Sequence, residues 1–239
     1  MSIIKAEERI ICALDVHQAA EAKRLVEQLD GLVSFFKVGM LLYLTGGMQF
    51  VQWLQKRGLK VFLDLKLYDV PDTVGPAVRA AAAAGVQMLT VHGNRDILQR
   101  AGEAAAGTGL NVLAVTVLTS LDQNDLAELG YPVAVADLVL NRARWAVESG
   151  CAGVIASPRE AGRLRSELGR DPLLVTPGIR PAGFAVGTHK RAATPGQAIR
   201  DGADYLVIGQ PIIKSAEPLR VVEAIIGEIK AADECNPDQ

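Results

Sequence analysis

Asp64, Lys66 and Asp69 lie close together in Val61-Phe62-Leu63-Asp64-Leu65-Lys66-Leu67-Tyr68-Asp69-Val70-Pro71-Asp72-Thr73. The first half of this stretch is an apolar run with the length of a buried strand. Side chains alternate faces along a strand, so Asp64 and Lys66 share one face and Leu63, Leu65 and Leu67 the other. Opposite charges on such a strand are costly unless paired, hydrogen-bonded or set where a ligand meets them. Asp69 follows where the strand gives way to a loop, Pro71 forbids a further ladder bond, and Asp72-Thr73 has the composition of a helix cap. An Asp-x-Lys-x-x-Asp group at the carboxyl end of a buried strand reads as an active site, with an ammonium fixed beside carboxylates.

The elements that must position this group recur along the chain. Arg9 to Val16 reads as a first strand ending in a carboxylate, Asp15, and 19–32 as a helix with Ala22, Leu25, Val26 and Leu29 on one stripe. Phe35 to Met40 is a second strand carrying Lys37 near its end, with a helix over 48–57. The third strand is followed by an Ala-rich helix over 73–84, closed by Gly85. Met88 to Gly93 (with His92) and a helix over 95–106 form the fourth unit. Strand 111–118 ends at Thr119-Ser120 and precedes helices at 123–129 and 135–149. Strand 153–157 with helix 159–168 follows, and then strand 172–178. An irregular stretch rich in Gly, Pro and basic residues runs from 179 to 193. A helix over 195–201, strand 205–209 and an amphipathic helix over 219–229 close the series, and the polar tail 233–239 is expected to fray.

Eight strand–helix units with short connections and no composition break predict one α/β domain over 1–239, a single (β/α)₈ TIM barrel. A doubly wound nucleotide-binding sheet would want a glycine-rich turn after its first strand, and Asp15-Val16-His17 is not one. In a barrel the carboxyl ends of all strands open at one mouth. Asp15, Lys37, Asp64, Lys66, His92, Ser120 and the turns at Gly178 and Gly209 would therefore converge there.

Composition agrees and excludes other classes. Hydrophobic residues make up 49% and aromatic residues 5%, so the core is built from Ala, Val, Leu and Ile, as suits parallel strands buried on both faces. A formal net charge of -2 gives no general pull toward nucleic acid. The longest nearly apolar run, 109–118, is too short to span a bilayer, and no cleavable leader pattern opens the chain. Cys12, Cys151 and Cys235 are odd in number and widely spaced, which argues against a disulfide framework and a zinc site. A soluble, cytoplasmic protein is expected.

Asp64 and Lys66 taken alone could be a structural ion pair capping the barrel layers. Lys37 and Asp15 at neighbouring strand ends weigh against that, because buried pairs barely repay their desolvation. His92 suits a core role as well as a catalytic one, and His17 sits in a turn with no assigned part. Ser120 lacks a nucleophile-elbow pattern and is assigned to binding. No metal-ligand set is visible. The ends of the seventh and eighth strands are where barrels hold phosphate. Gly178, Gly183, Gly187 and Gly209 supply backbone freedom there, and Arg180, His189, Lys190 and Arg191 supply positive charge, unless the stretch is simply a solvated basic loop. It is also long enough to be a lid.

With these residues in view the chain resembles the orotidine 5′-phosphate decarboxylase family along nearly its whole length. The matching pieces are Ala13-Leu14-Asp15, Phe36-Lys37-Val38-Gly39, Phe62 to Lys66 with Asp69-Val70-Pro71-Asp72-Thr73, and Val91-His92. Further on come Val115 to Ser120, Val175 to Pro181 and Asp204 to Gly209. The resemblance implies conversion of orotidine 5′-monophosphate (OMP) to UMP in de novo pyrimidine biosynthesis, by a carboxy-lyase needing no metal and no organic cofactor. It implies a charge quartet of Lys37, Asp64, Lys66 and Asp69, with Lys66 stabilising and then protonating a C6 carbanion. Asp64 would lie near the departing carboxylate. Asp15 and Lys37 would bind the ribose and Ser120 the pyrimidine. Asp69 and Thr73 would serve the neighbouring subunit of a homodimer, with no nucleic acid or membrane partner. Arg180, His189, Gly209 and Gln210 would complete the substrate site around the phosphate.

The chain departs from the family at two positions. His189 stands where the lid usually has a Gln, and Gln210 where the eighth strand usually ends in a phosphate-gripping Arg. Two other readings remain open at this point: a sister decarboxylase or aldolase acting on a sugar phosphate, and a catalytically weakened barrel kept as a binding module.

Overall fold

A computed structural model describes residues 4–182, 184 and 191–234. After a short 3₁₀ turn, Ala6–Arg9, the strands are β1 (Ile10–Ala13), β2 (Phe35–Gly39), β3 (Lys60–Leu67), β4 (Met88–Val91), β5 (Asn111–Val115), β6 (Gly153–Ile155), β7 (Leu173–Pro177) and β8 (Tyr205–Ile208). The helices are α1 (Ala19–Gln28), α2 (Met40–Lys56), α3 (Pro71–Ala83), α4 (Arg95–Ala105), α5 (Gln123–Glu128), α6 (Val135–Glu148), α7 (Pro158–Leu168), α8 (Pro195–Arg200), α9 (Gln210–Ile213) and α10 (Pro218–Glu234). All strand pairs are parallel, and β1 pairs with both β2 and β8, which closes the sheet. The expected (β/α)₈ barrel is the fold.

The period of two along each strand sorts the apolar residues into two cores. Outward positions such as Ile10, Cys12, Phe36, Val38, Leu63 and Leu89 pack under the helices. Inward positions Ile11, Ala13, Phe35, Phe62, Met88, Leu113, Val175 and Val207 form a separate plug inside the barrel. Its lower edge is tightened by an edge-on contact of Phe35 and Tyr205, with ring centroids 5.9 Å apart. Full burial of each large side chain contributes ~1.5–3 kcal/mol. Two residues further along, the inward positions turn polar: Phe35 is followed by Lys37, Phe62 by Asp64 and Met88 by Thr90. The barrel thus ends as an apolar plug with charge set on top of it.

Several boundaries differ from expectation for identifiable reasons. Helix α2 starts at Met40, directly after β2, and its irregularity is at Gly47 (φ 56°, ψ -163°), a conformation open to glycine. The helix expected over 48–57 therefore begins earlier, at Met40. Helix α3 starts at Pro71 behind Val70, which makes no side-chain cap. Asp72 and Thr73 are therefore inside the first turn, where proline's fixed φ, rather than a hydroxyl or carboxylate cap, begins the helix. Helix α9 was not anticipated, being a single turn behind Gly209. Helix α10 runs through Glu234, and residues 235–239 lie outside the described set. Among the described residues no helix is long and apolar enough to cross a membrane.

Candidate active site

The charged inward residues of three adjacent strand ends form one connected chain. Lys37 Nζ on β2 lies 2.9 Å from Asp15 Oδ1, just past β1, and 3.4 Å from Asp64 Oδ2 on β3. Asp64 Oδ1 in turn lies 2.8 Å from Lys66 Nζ. Lys37 is buried, while Lys66 is less enclosed and reaches the cavity. Burial alone would drive the Lys37 ammonium toward neutrality, but Asp64 and Asp15 outweigh it and hold its pKa above the ordinary lysine value. Burial likewise pushes the Asp64 carboxyl up, yet Lys37, Lys66 and hydrogen bonds from Lys66 and Thr90 hold it below the ordinary carboxylate range. Both groups are charged at neutral pH, so the site presents fixed charge rather than labile charge.

The backbone at Lys66 is unusual. It is the one described non-glycine residue with positive φ, 51°, in a region that costs an ordinary side chain ~1–2 kcal/mol. The pairing of β3 with β4 explains how this arises. Leu63 pairs with Leu89 and Leu67 with Val91, so the residues from 64 to 66 face Thr90 alone. This bulge carries both Asp64 and Lys66, and bulges commonly re-aim side chains beside active sites.

Above the plug opens a cavity of about 700 Å³ lined by Asp15, Lys37, Asp64, Lys66, Ser120, Arg180, Gly209 and Gln210 among others. Its volume suits a small-molecule ligand. Val115, Val117 and Leu118 at the end of β5 and Ile155 at the end of β6 give the rim an apolar wall on which a flat ring can lie. The adjoining ends of β7 and β8 carry Gly178, Arg180, Gly209, Gln210, Ile213 and Lys214. Gly209 lets the backbone come close to β1, since a Cβ there would sit tightly, 3.3 Å from Ala13 Cβ and 3.4 Å from Asp15 Oδ2. Arg180 is buried, donates from Nη1 to the Ile179 carbonyl at 2.8 Å, and burial lowers its pKa.

Most of the residues singled out from sequence meet at this cavity, but several do not. Asp69 lies on the exposed loop after β3, where its Oδ1 accepts from the Val70 N–H at 2.6 Å. It borders a separate surface groove with Tyr68, Pro71, Asn94 and Asp96. Thr73 is exposed in the first turn of α3, away from the cavity of its own chain. His92 is half-buried against Tyr68, ring centroids 5.5 Å apart, and its pKa is lowered by burial and then by Arg142 and Lys66. His189, Lys190, Gly183 and Gly187 lie outside the described residues. Arg191 was expected to face a phosphate, and the structure corrects this. Its guanidinium is buried, 2.5 Å from Glu160 Oε1, and donates to the carbonyls of Val117 and Leu118 at 3.3 and 3.0 Å. Cys12 and Cys151 are free, buried thiols pushed up to about 12 by burial.

Among the polar site residues, Lys214 and Thr90 escaped the sequence reading. Lys214 follows α9, the unanticipated turn, and nothing in its local sequence marks it. Thr90 is an inward strand residue indistinguishable by type from ordinary strand threonines.

A closed parallel barrel with a lysine ammonium held by a carboxylate at the strand ends, beside a cavity, is the arrangement of a barrel enzyme that works through proton and charge chemistry. The sequence profile of the "Orotidine 5'-phosphate decarboxylase / HUMPS family" matches residues 8–225. An orotidine 5′-phosphate decarboxylase of Afipia carboxidovorans is 50% identical over 225 residues, spanning 94% of this chain and 96% of that protein. One from Rhodopseudomonas palustris is 46% identical over the same shares of the two chains. The crystal structure of orotidine 5′-phosphate decarboxylase from Lactobacillus acidophilus superposes with a TM-score of 0.82 at 35% identity, covering 93% of this chain and 99% of that one. The chain belongs to the orotidine 5′-phosphate decarboxylase / HUMPS family.

Proposed function

We infer that this chain is a carboxy-lyase that decarboxylates OMP to UMP in de novo pyrimidine biosynthesis. The observation that carries the reading is the Lys66 ammonium, fixed 2.8 Å from Asp64 at the edge of the cavity. It stands in a chain half identical to a protein named for this reaction. The pyrimidine lies on the apolar wall near Ser120, the ribose hydroxyls meet Asp15 and Lys37, and the phosphate meets Arg180 and the Gly209-Gln210 turn. Gln210 offers the phosphate an amide donor, a weaker contact than a two-pronged guanidinium.

The reaction follows from that pose. The bond between C6 and the substrate carboxylate breaks, CO₂ leaves, and the electron pair stays on C6. Lys66 stabilises the developing charge and gives a proton from Nζ to C6, forming UMP. The neutral amine then regains a proton from water. Asp64 holds Lys66 in position and lies beside the departing carboxylate.

The active unit in this reading is a homodimer, in the cytoplasm. Asp69 and Thr73 miss their own cavity, and Tyr68 and Val70 beside them are 71% and 61% exposed, a good apolar surface for a second copy. Asp69 and Thr73 then enter the neighbouring site. The sugar-phosphate reading is not favoured, because the curated relatives quoted above are named for the nucleotide reaction. Ultraviolet absorbance distinguishes OMP from UMP, so incubating the purified chain with OMP tests the assignment. Conversion is expected; an inert OMP together with turnover of 3-keto-gulonate 6-phosphate would replace it with the sugar-phosphate reading.

A further inference from the structure

Thr90 is completely buried, on β4, at the point where β3 bulges. Its single hydroxyl does two things. It accepts a hydrogen bond from the backbone N–H of Lys66 at 2.9 Å and donates one to Asp64 Oδ1, also at 2.9 Å. The same Asp64 oxygen receives Lys66 Nζ at 2.8 Å, so a closed ring joins the hydroxyl, the carboxylate and both ends of Lys66. In regular parallel pairing a β4 carbonyl would accept such an N–H; inside the bulge the Thr90 hydroxyl takes that place. A hydroxyl can accept and donate at once, whereas the isosteric valine can do neither.

We propose that Thr90 is a positioning residue for the proton donor: its hydroxyl anchors the left-handed backbone of Lys66 and turns Asp64 so that one carboxylate oxygen faces Lys66 and the other Lys37. The inference rests on Lys66 being the acid, as argued above. Thr90 itself does not line the cavity. Its loss therefore loosens the aim of Nζ without removing a binding contact, and a loss of aim falls on kcat rather than KM.

Thr90→Val and Thr90→Ser separate the hydroxyl from the shape of the side chain. Removing a hydrogen bond to a charged group and leaving a buried N–H unmatched predicts a kcat lower by roughly 10- to 100-fold in Thr90→Val, with KM for OMP within about threefold. Thr90→Ser keeps the hydroxyl and is expected within about threefold of the parent kcat. A second readout is the acid limb of the kcat/KM profile. Asp64 is faced by Lys37 from β2, by Lys66 on its own strand and by Thr90 from β4, with Asp15 beyond Lys37. Without the Thr90 donor its charged form is less favoured, so the limb moves to higher pH in Thr90→Val and stays in place in Thr90→Ser. UMP binding by each variant reports whether the barrel and cavity are intact. Thr90→Ala carries the same comparison if the Val chain does not fold. Parent-like kcat in Thr90→Val, equal damage in Thr90→Ser, or a fall in kcat matched by an equal loss of UMP affinity would each overturn the proposal. Lys66→Ala assayed alongside keeps the two ideas apart. If it stays active, the assignment of the acid fails. If it is inactive while Thr90→Val is unimpaired, the role of Thr90 alone fails.

Discussion

At the residue scale the site depends on Asp64, which is pulled in opposite directions by burial and by its two lysines. The lysines and hydrogen bonds win, and the folded carboxyl lies below its ordinary value of 3.8. On acidification the unfolded chain takes up this proton before the folded one does. The contribution of Asp64 to stability is therefore full above the unfolded pKa and lost as pH falls through the folded one, a loss that begins below about pH 5. Urea unfolding from neutral pH downward should show a steeper decline for the parent than for Asp64→Asn; parallel curves would mean that the Asp64 carboxyl is not held low. Asp15, Lys37, Asp64 and Lys66 were legible in the sequence because charge in an apolar strand needs a reason. Thr90 was not, since a threonine in a strand needs none. Its role depends on a bulge that only the β3–β4 register reveals.

At the element scale the irregular stretch after β7 is anchored at both described ends. Arg180 N–H donates to the Ala193 carbonyl at 2.9 Å. Arg191 joins Glu160 of α7 to the carbonyls of Val117 and Leu118, and Ser157 Oγ donates to the Arg191 carbonyl at 3.1 Å. Leu118 leads directly into Thr119-Ser120, so this clasp ties the stretch to a loop that lines the cavity. Removing one partner of a buried ion pair costs ~3–5 kcal/mol, whereas replacing both by apolar groups costs far less. Arg191→Ala should lose about that much stability in urea and raise KM for OMP, and Arg191→Met with Glu160→Leu should recover most of the stability. A loss under about 1 kcal/mol in Arg191→Ala would show the pair to be no better than an exposed one. Charge and position made Arg191 look like a phosphate ligand. Its burial comes from α7 and the loop after β5, and no local pattern announces either.

At the scale of the whole molecule, eight repeats of strand and helix fixed the architecture, because a parallel strand needs a crossover and the count closes a barrel. That closure also explains why residues as distant as Asp15 and Gln210 share one cavity. The position of Asp69 and Thr73 away from that cavity belongs to this scale too, and the homodimer proposed above gives it a test. Lys66→Ala and Asp69→Ala subunits should each be inactive alone. Mixed and allowed to exchange, they should regain activity, because a heterodimer holds one site with neither lesion. Demonstrated exchange without recovery would mean that Asp69 acts within its own chain.

The central claim is that Lys66 delivers the proton to C6, and the kcat of Lys66→Ala on OMP, measured beside its affinity for UMP, tests it most directly. General-acid contributions are ~10²–10⁴-fold, so turnover should fall by at least about 100-fold while UMP still binds. A variant that kept more than about a hundredth of the parent kcat would contradict the account.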